Sequence, residues 1–144
     1  MNLILARTMA DASLAKAAID CTTLCISVVD ESGRLVLCMR ADGSSFLSTR
    51  TSFAKAVTAA AFRIPTKLIT ELHDDNLAFW NNVAHASIEP ILPSIGAIPI
   101  FSNNVCIGAI GCGGAKSGEQ DHACAQAGVD AGMSYLNNLT GEIL

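Results

Sequence analysis

Charge is scarce in this chain. Only 15% of its 144 residues are Asp, Glu, Lys or Arg, and aromatic residues make up 5%. The few charges sum to −4 and form no basic cluster, which excludes nucleic acid as an expected partner. No apolar run approaches the roughly 20 residues needed to span a bilayer, so no membrane role is expected. The opening MNLILARTMADASLAKAA lacks a signal peptide's order of charge, apolar core and cleavage site. It reads as an amphipathic helix, and the expected location is cytoplasmic. The six cysteines form no CxxC pair, so buried reduced thiols are expected rather than a disulfide framework. Catalytic signatures are missing too: there is no G-x-S-x-G, no H-E-x-x-H and no zinc-ligand spacing. No repeat, low-complexity tract or linker divides the chain, and residues 1–144 read as one domain.

Apolar residues, by contrast, reach 51%. A domain of this length buries roughly 70% of its unfolded surface. The rest must face water, and few charges are available to do so. Either Ala-rich helices pack very tightly, or part of the surface is buried between subunits. The second reading is favoured, and a homo-oligomer is expected.

The most informative stretch runs from Pro99 to Gly132. Ile98–Phe101 and Val105–Ile110 are strand-length apolar runs separated by Ser102-Asn103-Asn104, where Asn supplies the positive φ of a tight reversal. Gly108, Gly111, Gly113 and Gly114 follow. Ser117-Gly118-Glu119-Gln120 then forms a capping box that starts a helix. The glycine loop fits neither phosphate motif. Ala115 stands where a P-loop has its last Gly, and Lys116 where a dinucleotide fingerprint has its third. Glu119 and Asp121 at the helix start would repel a phosphate. The simpler reading is that the glycines let the strand pass under a helix.

Upstream, a helix is expected near residues 3–20, with Leu5, Met9 and Ala12 on one side. Cys25–Val29 and Arg34–Met39 read as a hairpin around Asp30-Glu31-Ser32-Gly33. A second helix spans residues near 47–62, stopping before Pro65. Short helices follow over Thr66–Leu72 and Asn76–Val83, then a connector containing Pro90 and Pro93. Hairpins with flanking helices give an α+β fold.

IGAIGCGGAKSGEQDHACAQAG, SVVDESGRLVLCMRADGS, FAKAVTAAAFRIPT and ILPSIGAIPI resemble segments of the GlcG/HbpS-like haem-binding family and occur along the chain in the family's order. That family also supplies the C-terminal half of PduO-type corrinoid adenosyltransferases. The resemblance covers nearly the whole chain. It implies a profilin-like fold, a five-stranded antiparallel sheet with helices packed on both faces. It also implies a non-enzymatic accessory or sensor protein that binds a tetrapyrrole, haem or a corrinoid. The alternatives are an enzyme acting on a small hydroxy acid or aldehyde, and a ligand-free structural oligomer.

Candidate ligand contacts follow. Lys55 is the only charge between Arg50 and Arg63 and shares a helix face with Thr51, Ser52 and Thr58. It is either a snorkelling surface lysine or a cation for a propionate or other carboxylate. Arg40, two residues from Asp42, pairs with it or with a ligand. Gly113 and Gly114 complete this set. For iron, a histidine is the simplest axial ligand. Some family members use one near the end of the first helix, where Ala15–Cys21 here holds none. His73, beside Asp74 and Asp75, looks like a solvated helix end, which leaves His85 and His122 as the candidate ligands.

Overall fold

The computed structural model describes residues 1–141. Along the chain run α1 (Leu3–Ile19), β1 (Cys25–Asp30), β2 (Leu35–Arg40) and α2 (Leu47–Phe62). Two short helices follow, α3 (Thr66–Leu72) and α4 (Leu77–Asn82), each continued by a 3-10 turn, His73–Asn76 and Val83–Ala86. The chain then forms β3 (Ala97–Ser102), β4 (Val105–Gly113) and α5 (Gly118–Gly141).

The strands make one antiparallel sheet in the order β2-β1-β4-β3. The sheet has four strands among the described residues, not the expected five. The chain between α2 and β3 is helical or irregular and supplies no further strand. Nor is the β3 edge open at its start. The Thr66 hydroxyl accepts from the Ala97 N–H at 3.0 Å and donates to the Ala97 carbonyl at 3.4 Å, so α3 takes the place of a neighbour.

Strand alternation puts Ile26, Val28, Ile98, Ile100, Ile110 and Cys112 on one face, where α1 and α5 cover them. Val29, Ala97 and Ala109 face the other way, against Ala56, Val57, Ala59 and Ala60 of α2. Helices therefore lie on both faces. Both layers pack unusually close because side chains are missing at the contact. A Cβ on Gly111 would run into the Ser52 carbonyl oxygen of α2 and come within 2.8 Å of the Ala56 nitrogen. On the opposite face, a Cβ on Gly128 would lie 2.9 Å from the Met9 carbonyl oxygen of α1. A helix-interior glycine costs about 1 kcal/mol relative to alanine, and this close packing offsets it. The glycines of β4 thus act as the sequence suggested, letting the strand pass beneath a helix.

Candidate functional site

Lys55 sits midway along α2, and its ammonium turns inward. Nζ lies 3.0 Å from Asp121 Oδ2 in the first turn of α5 and 3.2 Å from the Cys112 carbonyl oxygen. The two side chains are only 8% and 7% exposed. The other carboxylate oxygen of Asp121 accepts the Ala115 N–H at 3.1 Å, which holds the glycine loop to the helix start. Burial pushes the Asp121 carboxyl above its ordinary range, while Lys55 and the Ala115 N–H pull it back. Lys55 is thus neither a snorkelling surface lysine nor an open cation. Its partner is a carboxylate of the same chain.

The other helix-face candidates separate. Thr58 is buried; its hydroxyl donates to the Ala54 carbonyl at 2.7 Å and accepts from the Leu92 N–H at 2.8 Å. It ties the connector before β3 down onto α2. Gly113 lies beneath α2, where a Cβ would stand 3.0 Å from Thr51 Oγ1. Gly114, exposed, takes a left-handed φ of 100° as the chain leaves the sheet. On the edge strand β2, one strand beyond β1 from Gly113, Arg40 donates from Nε and Nη2 to the Ser44 carbonyl at 3.0 and 2.7 Å.

Between the outer face of α2 and the connector lies an open cleft of about 680 Å³. Arg50, Thr51, Phe53 and Ala54 form the helix wall; Ala84 and Ser87–Leu92 form the other. Its walls are mainly apolar, with Arg50 and Glu89 as the two charges. That volume and lining suit a small organic ligand. Of the residues expected from the sequence to contact a ligand, Thr51 alone lines it.

The two histidines lie in different settings. His85 is exposed on the 3-10 turn Val83–Ala86, between Ala84 and Ser87, which both line the cleft. His122 is half-buried in α5, and its Nδ1 is shut off from solvent without a hydrogen-bond partner. Burial lowers its pKa, Lys67 lowers it further, and Glu119 opposes both. Lys67 and Glu119 form an ion pair of 3.0 Å. No cleft-lining residue is a histidine, cysteine, methionine or tyrosine, so the walls offer a macrocycle apolar contact and one cation but no iron ligand of their own.

Sequence reasoning missed both Asp121 as the partner of Lys55 and the Arg50 wall. A signal for the first existed: an isolated lysine in an alanine-rich helix needs a carboxylate once that helix is buried.

Residues 1–130 match the family described as haem degrading protein HbpS-like. The chain belongs to that family. It is 31% identical over 130 residues to an uncharacterised 15.0 kDa protein of the dhaT-dhaS intergenic region of Citrobacter freundii, covering 90% of each chain. The Klebsiella pneumoniae protein ORFY has a similar structure, with a TM-score of 0.84 and 28% identity over 92% of this chain and 90% of that one. A PduOC–haem complex shares the fold, with a TM-score of 0.81 and 21% identity over 91% of this chain and 94% of that one.

Proposed function

We propose that this chain binds a tetrapyrrole, haem or a corrinoid, in the cleft between α2 and the connector, as a non-enzymatic accessory or sensor protein. The observation that carries the reading is the cleft itself: about 680 Å³, apolar on both walls, with the Arg50 cation beside it. A flat apolar macrocycle bearing carboxylates needs that combination. Support also comes from the family's description, which names haem, and from the fold shared with a haem complex. Arg50 would meet a propionate. His85, on the turn that carries Ala84 and Ser87 into the cleft, is the better placed of the two candidate iron ligands.

A haem titration followed at the Soret band tests this. Wild-type protein is expected to bind and shift the band. Arg50→Ala should weaken binding by up to about fivefold, because an exposed ion pair contributes about 0–1 kcal/mol. His85→Ala should change the band's position as well as the affinity. No Soret change with wild-type protein would overturn the haem reading, and the same titration with cobalamin would then decide whether a corrinoid replaces it.

A further inference from the structure

The connector wall of the cleft is fastened to α2 at both of its ends, one helical turn apart. At one end the Thr58 hydroxyl accepts the Leu92 N–H at 2.8 Å, and Ile91 beside it packs against the core layer under α2. At the other, the Phe62 ring meets Trp80 of α4 at 4.9 Å and Phe79 at 6.0 Å between ring centroids. Between these anchors the wall is loose. Residues 84–90 are all exposed, and among the described residues no hydrogen bond joins them to the rest of the chain. The bond from the Ser87 N–H to the Ala84 carbonyl, at 3.5 Å, stays within the wall. A segment with few buried contacts and no bonds to its surroundings belongs to the least stable part of a fold.

We propose that residues 84–90 are a strap that folds down onto a ligand in the cleft, swinging as a unit about its two anchors, Thr58 and Phe62. Ile88 lines the cleft yet is 104% exposed, an apolar side chain at the rim with nothing covering it. Turned inward, it leaves water and extends the apolar walls over the ligand. Arg50 and Glu89 carry opposite charges on facing walls, and in the open cleft they form no ion pair among the described residues. Closure brings them together. The guanidinium has five N–H donors, enough for Glu89 and a ligand carboxylate at once. His85 rides on the strap, lining neither wall while the cleft is open, and closure carries it toward the ligand. Because both anchors sit on one helix, the motion asks nothing of the sheet.

This inference rests on the cleft being the ligand site, and its test separates the two. Arg50→Cys with Ile88→Cys places one thiol on each wall, in a protein that also carries Cys21→Ser and Cys38→Ser. All four positions are exposed, and the remaining four cysteines are buried. Oxidised glutathione can join the two new thiols, releasing two reduced glutathiones, only when their Cβ atoms come within about 4 Å. The ligand-free protein should form this bridge, seen by mass spectrometry as the loss of two thiols without added glutathione. Haem uptake followed at the Soret band should then be at least about tenfold slower for the bridged form than after reduction with dithiothreitol, because a closed strap bars an empty cleft. Two bound glutathiones and no bridge overturn the strap, whatever haem does. Equal uptake by bridged and reduced protein also overturns it and leaves the tetrapyrrole reading standing. A bridge in a protein that takes up no haem in either state, as the wild type takes up none, sinks the tetrapyrrole reading and leaves the strap standing.

Discussion

Lys55 Nζ and Asp121 Oδ2 meet at 3.0 Å across 66 positions of sequence, joining the middle of α2 to the start of α5. A buried pair of this kind repays its desolvation only when both partners are present. Lys55→Met strands a buried carboxylate and should cost about 3–5 kcal/mol in chemical denaturation. Adding Asp121→Asn, which keeps an acceptor for the Ala115 N–H, should recover more than half of that loss. A cost below about 1 kcal/mol for Lys55→Met would show that the pair is solvated instead.

The closeness of α2 to the sheet depends on an absent side chain. Gly111→Ala would drive a Cβ onto the Ser52 carbonyl and the Ala56 amide, both backbone groups that cannot rotate away. It should cost about 3 kcal/mol or more. Gly141→Ala has nothing within 4 Å to meet and should change stability by no more than about 0.5 kcal/mol. Equal melting temperatures for the two variants would show that α2 stands farther from β4.

All six cysteines are free, with Cys21 and Cys38 exposed and the other four buried. Burial pushes Cys112 well up and raises Cys124 to about 11, so neither is a thiolate at neutral pH. Native protein should yield two rapidly reacting thiols with Ellman's reagent and six after unfolding. Fewer than six in unfolded, unreduced protein would reveal a disulfide and contradict this.

His122 makes stability depend on pH in the acid range. Burial first, and then Lys67, lower its pKa below the ordinary 6.5, against the opposing pull of Glu119. The unfolded chain therefore takes up its proton before the folded one does. Above pH 6.5 both forms are neutral and the contribution is complete. As pH falls below that value it is lost progressively, until the folded-state pKa is passed. Melting temperature should fall with pH across that window, and His122→Gln should flatten the slope. An unaltered slope would place the acid sensitivity elsewhere.

Much of the fold was legible from local chemistry. The two hairpins announced themselves by strand-length apolar runs and turn residues, and Asn103 and Asn104 do take positive φ. Ser117 caps α5 as the box implied, its hydroxyl accepting the Gln120 N–H at 3.2 Å. The Gln120 side chain departs by one position, accepting from Lys116 rather than from the cap residue. Less legible was Thr66, whose hydroxyl bonds both backbone groups of Ala97 at the β3 edge, 31 positions away in sequence. The site was less legible because its parts are non-local. Nothing near Lys55 in sequence names Asp121, and nothing in Ser87–Leu92 shows that Thr58 will fasten this connector against α2.

The cleft is where ligand binding stands or falls, and filling it is the most direct test. Ser87→Trp places an indole in the cleft from an exposed position on its connector wall. In a haem titration at the Soret band, the variant should bind at least about tenfold more weakly than wild type, a loss of about 1.4 kcal/mol, with unchanged circular dichroism. A titration curve that overlays the wild-type curve would contradict this and move the ligand out of the cleft.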